Sequence, residues 1–285
     1  MRRSRPALGL TLLAVAALAT GFRNVPFLTG DQVMQKVHDA LAASSELDLV
    51  KLITMSSAGD VESRELVSAV QRDDQGNTYY LLRFLEPVDI RGTTLLAIEH
   101  KGGDVEQYLY LPGLGEPRKI EGSGRAGYFM GSDFTFEDMR KERGTDWKYA
   151  RLDDDMVDGT DCYAILSSPS DESREKITGY ANRIVYVDKN TYVIRRIEFF
   201  NDKNERLKVF DAYDYQGPNG QPQRPRRGVM TNNSKNTTTV MSLLDSKTNA
   251  PLAPDMFTLD TIEHWGPDQD HVIQAALPKA AEPTP

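Results

Sequence analysis

The feature that most constrains the fold is a series of turn signals that recur about every ten residues from Leu47 onward. Gly, Asp and Asn cluster in these turns, for example at 73–77, 101–104, 157–160 and 188–191. The segments between them are rich in β-branched and aromatic residues, and they are short for helices. Successive hairpins of this kind predict an antiparallel meander and not an alternation of strands and helices.

Eleven segments carry the strand signal. They span residues 46–57, 61–72, 78–87, 93–101, 105–112, 146–153, 160–168, 181–189, 192–202, 205–215 and 236–245. The stretch after Tyr110 adds a Pro-Gly turn and a short return strand. A flat sheet of this size would leave long unpaired edges, so we expect it to curve. The predicted fold class is mainly β: a strongly curved antiparallel sheet of about eleven strands that forms a half-open barrel, capped by one or more helices.

One amphipathic helix is predicted before the strands, within residues 28–44. Thr29 can cap this helix, and Gln32, three residues later, completes a capping box. The apolar residues that then fall on one helix face are Val33, Val37, Ala40 and Leu41.

Several strands are apolar on both faces. In one of them Tyr80, Leu82 and Phe84 alternate with Leu81 and Leu85. Two interpretations remain open from periodicity alone. The sheet could be part of a sandwich core that the helix covers, or its concave face could be apolar and wrap a ligand with the helix as a lid.

Residues 1–19 are typical of a cleavable signal peptide, because a basic head and an apolar run precede the small residues Ala17-Leu18-Ala19. An uncleaved N-terminal anchor is the alternative. No cysteine lies near the cleavage site, so we do not expect a lipoprotein anchor. Residues 20–265 are then expected to form one domain, and residues 266–285 a disordered tail.

Composition narrows the classes of partner and site. The formal net charge is −8, which disfavours nucleic acid because binding to phosphates needs a basic surface. Cys162 is the single cysteine, so it can form neither an internal disulfide nor a cysteine metal site, and we expect it in the core. The four histidines have no metal-binding spacing, and no metal or cofactor is predicted.

Two motifs match the sequence pattern of a ligand-binding loop but lack the neighbouring residues that such a loop requires. Gly122, Gly124 and Gly127 spell G-x-G-x-x-G, yet a charged segment precedes them and an aromatic one follows, where a nucleotide loop needs a buried strand and a helix. Residues 153–161 are acidic, but Met156 would occupy a position of a calcium loop that requires an oxygen ligand. We interpret this segment as the tip of an acidic hairpin. No catalytic residues are predicted.

The chain resembles the LolA-like family of periplasmic outer-membrane lipoprotein-sorting proteins over about residues 30–265. The resemblance rests on the order and spacing of several motifs. They are EPVDIRGTTLLAIEH at 86–100, QYLYLPGLGEPRKI at 107–120, GYFMGSDFTFEDM at 127–139, DWKYARLDDDMVDGTDCYAILSSP at 146–169, VYVDKNTYVIRRIEFFND at 185–202 and PDMFTLDTI at 254–262.

The resemblance implies an incomplete barrel with helices across its open face and a lining that holds acyl chains. On this basis the aromatic loop near 127–139 is expected to form a lid and cavity rim. The residues expected to line the cavity are Leu82, Phe84, Leu96, Tyr110, Phe129, Phe134 and Ile165. Arg83, Val33 and Val37 are expected to act in the lid or its gating, with Arg72 as a second candidate for the gating arginine of the family.

The implied function is a non-catalytic monomeric carrier in the periplasm that ferries lipoproteins or lipids toward the outer membrane in an apolar cavity. An inner-membrane transporter is the expected partner. The alternative is a lipid-sensing or accessory module of a membrane lipid-export pump. A third hypothesis, an enzyme that acts on lipids, would require a buried cluster of Ser, His and an acid.

Overall fold

The computed structural model describes residues 27–40, 43–141, 143–216, 224–266, 268–270, 273 and 277. The predicted signal peptide and Leu41 of the predicted helix face lie outside these residues. Within them the chain is mainly β, with three short α-helices. The helices are α1 (Gly30–Ala40), α2 (Glu172–Thr178) and α3 (Leu259–His264).

Fourteen strands occur in the described part of the chain. They are β1 (Ser45–Ser56), β2 (Val61–Arg72), β3 (Thr78–Glu86), β4 (Thr94–Glu99), β5 (Val105–Tyr110), β6 (Pro117–Lys119), β7 (Trp147–Arg151), β8 (Asp155–Val157), β9 (Thr160–Pro169), β10 (Asn182–Asp188), β11 (Ile194–Phe200), β12 (Arg206–Gln216), β13 (Arg224–Asn232) and β14 (Thr237–Thr248). All eleven predicted strands are present. The additions are β6, the predicted short return strand, β8 in the acidic hairpin, and β13.

The strands form one antiparallel sheet in the order β6-β5-β4-β3-β2-β1-β14-β13-β12-β11-β10-β9-β7, and β8 pairs with β9. It is built from two sequential meanders that meet where β1 pairs with β14. The edge strands β6 and β7 do not pair with each other, so the sheet is not closed into a barrel. The predicted fold class, a half-open antiparallel barrel with helical caps, is confirmed.

The two edge strands are consecutive in the chain, and residues 120–146 connect them. This connecting segment packs on the inner face of the sheet, where Phe129 shares a cluster with Leu52, Leu82 and Phe84. The gap between β6 and β7 is therefore bridged by the chain itself, although not by hydrogen-bonded strands.

Both faces of the sheet are covered, which explains the strands that are apolar on both sides. In β3 the even-numbered Leu82 and Phe84 belong to the inner cluster, whereas Leu81 and Leu85 pack on the outer face. The outer cover is the segment 250–277. Its buried side chains are Ala250, Phe257, Ile262, Trp265, Ile273 and Leu277. Residues 270, 273 and 277 of the expected tail are thus buried.

The start of α1 follows from a reciprocal pair of hydrogen bonds. The Gln32 N–H donates to Thr29 Oγ1 at 3.3 Å, and the Thr29 N–H donates to Gln32 Oε1 at 3.0 Å. This is the predicted capping box, and it is confirmed. Val33, Met34 and Val37 are buried, whereas Ala40 is half-buried.

Candidate functional site

The main cavity lies on the inner face, and its lining comes from α1, α2, the segment 134–147 and the strands β2 to β4 and β10 to β13. Its volume is about 550 Å³, within the range of about 300–1,000 Å³ that is usual for small-molecule sites. A second cavity of about 270 Å³ adjoins it and extends over β1, β2 and β14. The two share Val70, Tyr80 and Phe210 as lining residues. Together they occupy much of the inner face.

One wall of the main cavity is apolar. It is formed largely by a cluster in which Phe134, Trp147, Tyr180, Phe199 and Met230 pack together. The ring centroids of Phe134 and Phe210 lie 6.1 Å apart in an edge-to-face arrangement, and those of Tyr180 and Phe199 lie 4.6 Å apart. Met34 and Val37 of α1 complete this wall. Such a surface can hold a hydrocarbon chain.

A glycine helps to shape this region. Gly228 of β13 is a lining residue of the second cavity, and a Cβ at this position would lie 2.5 Å from Cε2 of Phe210. The ring of Phe210 thus occupies the space above Gly228. Any larger residue at position 228 would push this ring into the cavity.

The lining also includes ten charged residues, whereas the prediction was of an apolar cavity. Of the described residues that line the main cavity, six are Lys or Arg and four are Asp or Glu. The basic ones are Arg72, Arg140, Lys141, Arg143, Arg174 and Arg183, and the acidic ones are Asp39, Glu99, Glu137 and Asp138. The periodicity of the sequence could not reveal this, because half of these residues lie in loops, and Glu99 of β4 and Arg174 of α2 reach them only through the fold.

An ion-pair network joins many of these charges. Arg140 Nε donates to Glu137 Oε1 at 2.6 Å, and Arg140 also donates to Asp146 Oδ2 at 2.5 Å. Arg174 of α2 donates to the same two carboxylates. Arg143 contacts Asp146 at 2.8 Å and Glu99 at 3.6 Å. Burial raises the pKa of Glu99 and of Glu137, although the arginines oppose the shift.

The segment 128–139 is fastened to the sheet by buried polar groups. The Asp133 carboxylate accepts hydrogen bonds from Thr237 Oγ1 at 2.5 Å and from Thr239 Oγ1 at 2.8 Å, both on β14. Thr135 and Asp138 form a reciprocal pair, in which each backbone N–H donates to the other side chain. The expected lid loop is therefore a buried plug in this structure.

Lys208 of β12 is the second fastening point, and its side chain is only 2 % exposed. Its Nζ donates to Asp138 Oδ2 and to the Asp133 carbonyl, both at 3.0 Å. Tyr180 Oη donates to the same carboxylate at 2.9 Å. Burial alone would raise the pKa of Asp138, but Lys208 and these hydrogen bonds bring it below its ordinary value.

Helix α1 is held differently, by apolar contacts. Val33, Met34 and Val37 pack against Ile165 of β9 and against two valines of β10. At its first residue, a Cβ on Gly30 would lie 2.9 Å from the carbonyl carbon of Tyr149 in β7. The helix thus rests directly on the sheet through a close backbone approach that only glycine permits.

Three of the predicted site residues line the cavities. Phe134 and Val37 line the main cavity, and Leu82 lines the second. Phe84 of β3 and Phe129 of the plug are fully buried against each other, with ring centroids 5.4 Å apart. Ile165 and Val33 meet in the contact between α1 and the sheet. Their proposed roles in ligand binding or gating stay predictions.

The other predicted site residues lie on the outer face. Leu96 and Tyr110 pack with the segment 250–277. Arg83 is buried there too. Its Nε donates to Asp270 Oδ1 at 2.7 Å, and its Nη2 donates to the Trp265 carbonyl at 2.8 Å. Arg83 thus holds the C-terminal segment on the sheet. Its expected part in gating stays a prediction.

The sequence analysis missed the charged cluster, and one local signal could have located part of it. Asp171 Oδ1 accepts a hydrogen bond from the Arg174 N–H at 2.8 Å, and Gly179 has φ of 74°. These are an N-cap and a left-handed C-cap, so "DESREKITG" carries the signature of the short helix α2. This helix places Arg174 against the cavity.

In the part of the chain that the structure describes, no helix is long and apolar enough to span a membrane. Comparison with curated proteins finds no match. Residues 76–264 match the model of a family whose members are described as uncharacterized proteins.

Several solved structures have the same fold. A domain described as an outer membrane lipoprotein-sorting protein, from Vibrio parahaemolyticus, is 23% identical and has a TM-score of 0.76, and the match covers 82% of this chain and 98% of that one. A DUF1329 family protein from Desulfovibrio piger is 20% identical, with a TM-score of 0.76 and coverages of 82% and 97%. A LolA superfamily protein from Nitrosomonas europaea is 18% identical, with a TM-score of 0.65 and coverages of 82% and 99%.

These matches confirm the resemblance at the level of the fold. The chain belongs to the family of uncharacterized proteins whose model spans residues 76–264, and it has the fold of LolA-like lipoprotein-sorting proteins.

Proposed function

We propose that this protein is a carrier that holds acyl chains of lipoproteins or lipids in its inner cavities. The observation that carries this proposal is the cavity of about 550 Å³ between α1 and the sheet, with its apolar wall. The adjoining cavity of about 270 Å³ offers further space on the same face. The LolA-like fold of the chain supports the same function.

The energetics of such a carrier are those of partition between water and an apolar surface. Burial of each CH₂ contributes about 0.8 kcal/mol, so a sixteen-carbon chain costs on the order of 12 kcal/mol to expose to water. The carrier must offset most of this cost and still release its cargo. A roomy cavity covered by a helix that makes mainly apolar contacts meets both requirements, since the helix can leave without breaking buried ion pairs.

In this proposal α1 is the lid, and Val33 and Val37 are the residues that seat it. Phe134 and Leu82 contact the acyl chain. The protein acts without catalysis, as a monomer in the periplasm, after removal of a signal peptide over residues 1–19. It receives its cargo from an inner-membrane transporter and carries it toward the outer membrane.

The test is to fill the cavity with a larger side chain. Val70 is half-buried and lines both cavities, so Val70→Trp should occupy the space where they adjoin. We expect uptake of a fluorescent fatty acid to fall about tenfold or more, because the apolar surface for several CH₂ groups is lost. Native mass spectrometry of protein purified without detergent should show a bound acyl species in the unmodified chain and less in the variant.

The matched control is Ser63→Trp, which adds the same side chain at an exposed position of the same strand β2. It should leave uptake unchanged, and thermal unfolding should verify that both variants are folded. If the unmodified chain takes up no fatty acid, or if Val70→Trp binds as well as the control, the carrier proposal fails. The alternative of an accessory or sensing module would then be preferred.

A further inference from the structure

The charged part of the main cavity has an excess of positive charge, in a chain whose net charge is −8. Among the described lining residues, Arg and Lys outnumber Asp and Glu by six to four. The cluster is continuous, since Arg140 and Arg143 both approach Glu99 and both pair with Asp146. It adjoins the apolar wall, because Phe134 and Trp147 line the same cavity.

The acids of the network are shared between several cations, and the buried Nε donors of Arg143 and Arg174, both of which line the cavity, have no hydrogen-bonding partner among the described residues. Glu137 lies within ion-pair distance of Arg125, Arg140 and Arg174. Arg174 is 7% exposed, and its buried Nε has no hydrogen-bonding partner among the described residues. A buried donor without a partner is costly, so a further acceptor within the cavity would stabilise it.

Another cation of the cavity, Arg72, has no side-chain partner within the part of the chain that the structure describes. Arg72 ends strand β2, is exposed and lines the main cavity. Among the described residues, its side chain has neither a hydrogen bond nor an ion pair. Its neighbours along the cavity include Tyr80 of β3 and Glu99 of β4, both of which contact the arginine network. Arg72 can therefore turn toward an anion at the cavity without breaking a hydrogen bond or an ion pair with any described residue.

Carboxylates offset part of the cluster's positive charge, because Asp146 pairs with Arg140, Arg143 and Arg174, and Glu46 pairs with Lys141. Burial raises the pKa of Glu99 and of Glu137, which makes their ionised forms less favourable than those of exposed carboxylates. The guanidinium groups of Arg72, Arg143 and Arg174 all line this cavity, so they are available to an anion bound there. Guanidinium groups bind phosphate and carboxylate oxygens with directed, charge-assisted hydrogen bonds.

We propose that the cargo is a lipid with an anionic headgroup, phosphate or carboxylate, that lies against the arginine cluster while its acyl chain follows the apolar wall. This inference rests on the proposed carrier function and adds the headgroup class. A free anion would interact only with the arginine cluster, whereas a neutral lipid would interact only with the apolar wall. The juxtaposition of the two surfaces in one cavity favours a molecule that carries both groups.

The test compares lipids that differ only in the headgroup. Binding of dioleoyl phosphatidylglycerol and dioleoyl phosphatidylcholine is measured by native mass spectrometry after extraction from vesicles, with inorganic phosphate as a competitor. We expect a preference for phosphatidylglycerol of about tenfold, the effect of one charge-assisted interaction. Arg72→Gln should reduce this preference several-fold, Arg72→Lys should retain most of it, and phosphate at millimolar concentration should compete weakly.

The control variant is Arg118→Gln, which removes the same charge from an exposed ion pair on β6 that lines neither cavity. It should leave the preference unchanged. Equal binding of both lipids, unaffected by Arg72→Gln, would overturn the headgroup proposal and leave the carrier function standing. Binding of neither lipid would overturn both. Strong competition by phosphate against both lipids would identify a site for a free anion and also contradict the headgroup proposal.

Discussion

At the scale of single residues, Lys208 is informative because it is a charged side chain that is almost completely buried. A lysine that is 2 % exposed must have its charge compensated within the protein. Asp138 and the Asp133 carbonyl do this, and both belong to the plug. Tyr180 and Phe199 present their rings to the ammonium group at about 5 Å. Lys208 therefore links the plug to β12.

Replacement of Lys208 should test this link. Lys208→Met keeps the length of the side chain but leaves Asp138 buried without its cation. We expect the free energy of unfolding to fall by about 3–5 kcal/mol, as when one partner of a buried pair is removed. The control Arg206→Met lies on the same strand, β12, and removes an exposed arginine that pairs with Glu198 of β11, so it should cost about 1 kcal/mol or less. Urea unfolding measures both, and equal losses would contradict a structural role for Lys208.

The same pair predicts a dependence of stability on pH. The folded state lowers the pKa of Asp138 below 3.8, so its ionised form stabilises the fold above that pH, and the contribution is lost as the pH falls through the folded pKa. Asp138→Asn should be less stable than the unmodified chain at pH 7. The difference should shrink progressively below pH 3.8.

The free energy of unfolding of Asp138→Asn and of the unmodified chain, measured between pH 2 and pH 7, checks this. Glu99 and Glu137 have raised pKa values and act in the opposite direction. Because both proteins contain them, their contribution cancels in the difference. The exposed Asp202 in the turn after β11 provides the control Asp202→Asn. A stability difference for Asp138→Asn that does not change with pH would show that its charge is not involved.

At the scale of elements, the plug and α1 cover the same face but are attached by different forces. Buried ion pairs and hydrogen bonds hold the plug through Asp133, Glu137 and Asp138. Apolar contacts and one close backbone approach at Gly30 hold α1. Since separate buried charges are costly, we expect α1 to be the element that moves when the cavity opens.

Gly30→Ala should loosen α1 without touching the cavity lining. The added Cβ would lie 2.9 Å from the Tyr149 carbonyl carbon, so the helix must shift, at a cost of about 1–3 kcal/mol. We expect faster hydrogen exchange at the amides of α1 and faster loss of bound fatty acid. Gly102→Ala, where a Cβ would meet open space, should change neither. Faster exchange in the plug but not in α1 would identify the plug as the moving lid.

The same comparison of elements shows what the sequence could predict. Turn residues and strand periodicity located most of the sheet, and Thr29 with Gln32 located the start of α1. Strand β13 was not predicted, because Pro225, Gly228 and three arginines disrupt its alternation of apolar and polar residues. The apolar wall was partly predictable, since Phe134 stood out as a large apolar residue in a loop. The charged network was not, because Glu99, Glu137 and Arg174 meet only through the fold.

At the scale of the whole molecule, the outer cover closes the second face of the sheet. Asp270 pairs with Arg83, and Ile273 and Leu277 are buried, so a chain that ends at residue 265 should be markedly less stable. Loss of the Asp270 partner alone should cost about 3–5 kcal/mol, because Arg83 is 4% exposed. Thermal unfolding of the shortened chain, with a chain that ends at residue 278 as control, checks this. Equal stability of the two would support the expected boundary at 265.

The pairing of β1 with β14 also has a consequence for the order of folding. Thr54 and Thr239, which share a hydrogen bond across this pair, are 185 residues apart in the chain. During synthesis, β1 to β6 can form their hairpins early, but β1 keeps one open edge until the last strand emerges. Closure of so long a loop slows folding and leaves an unpaired strand edge exposed to other chains. The nascent protein is therefore expected to depend on a holding chaperone until β14 is complete.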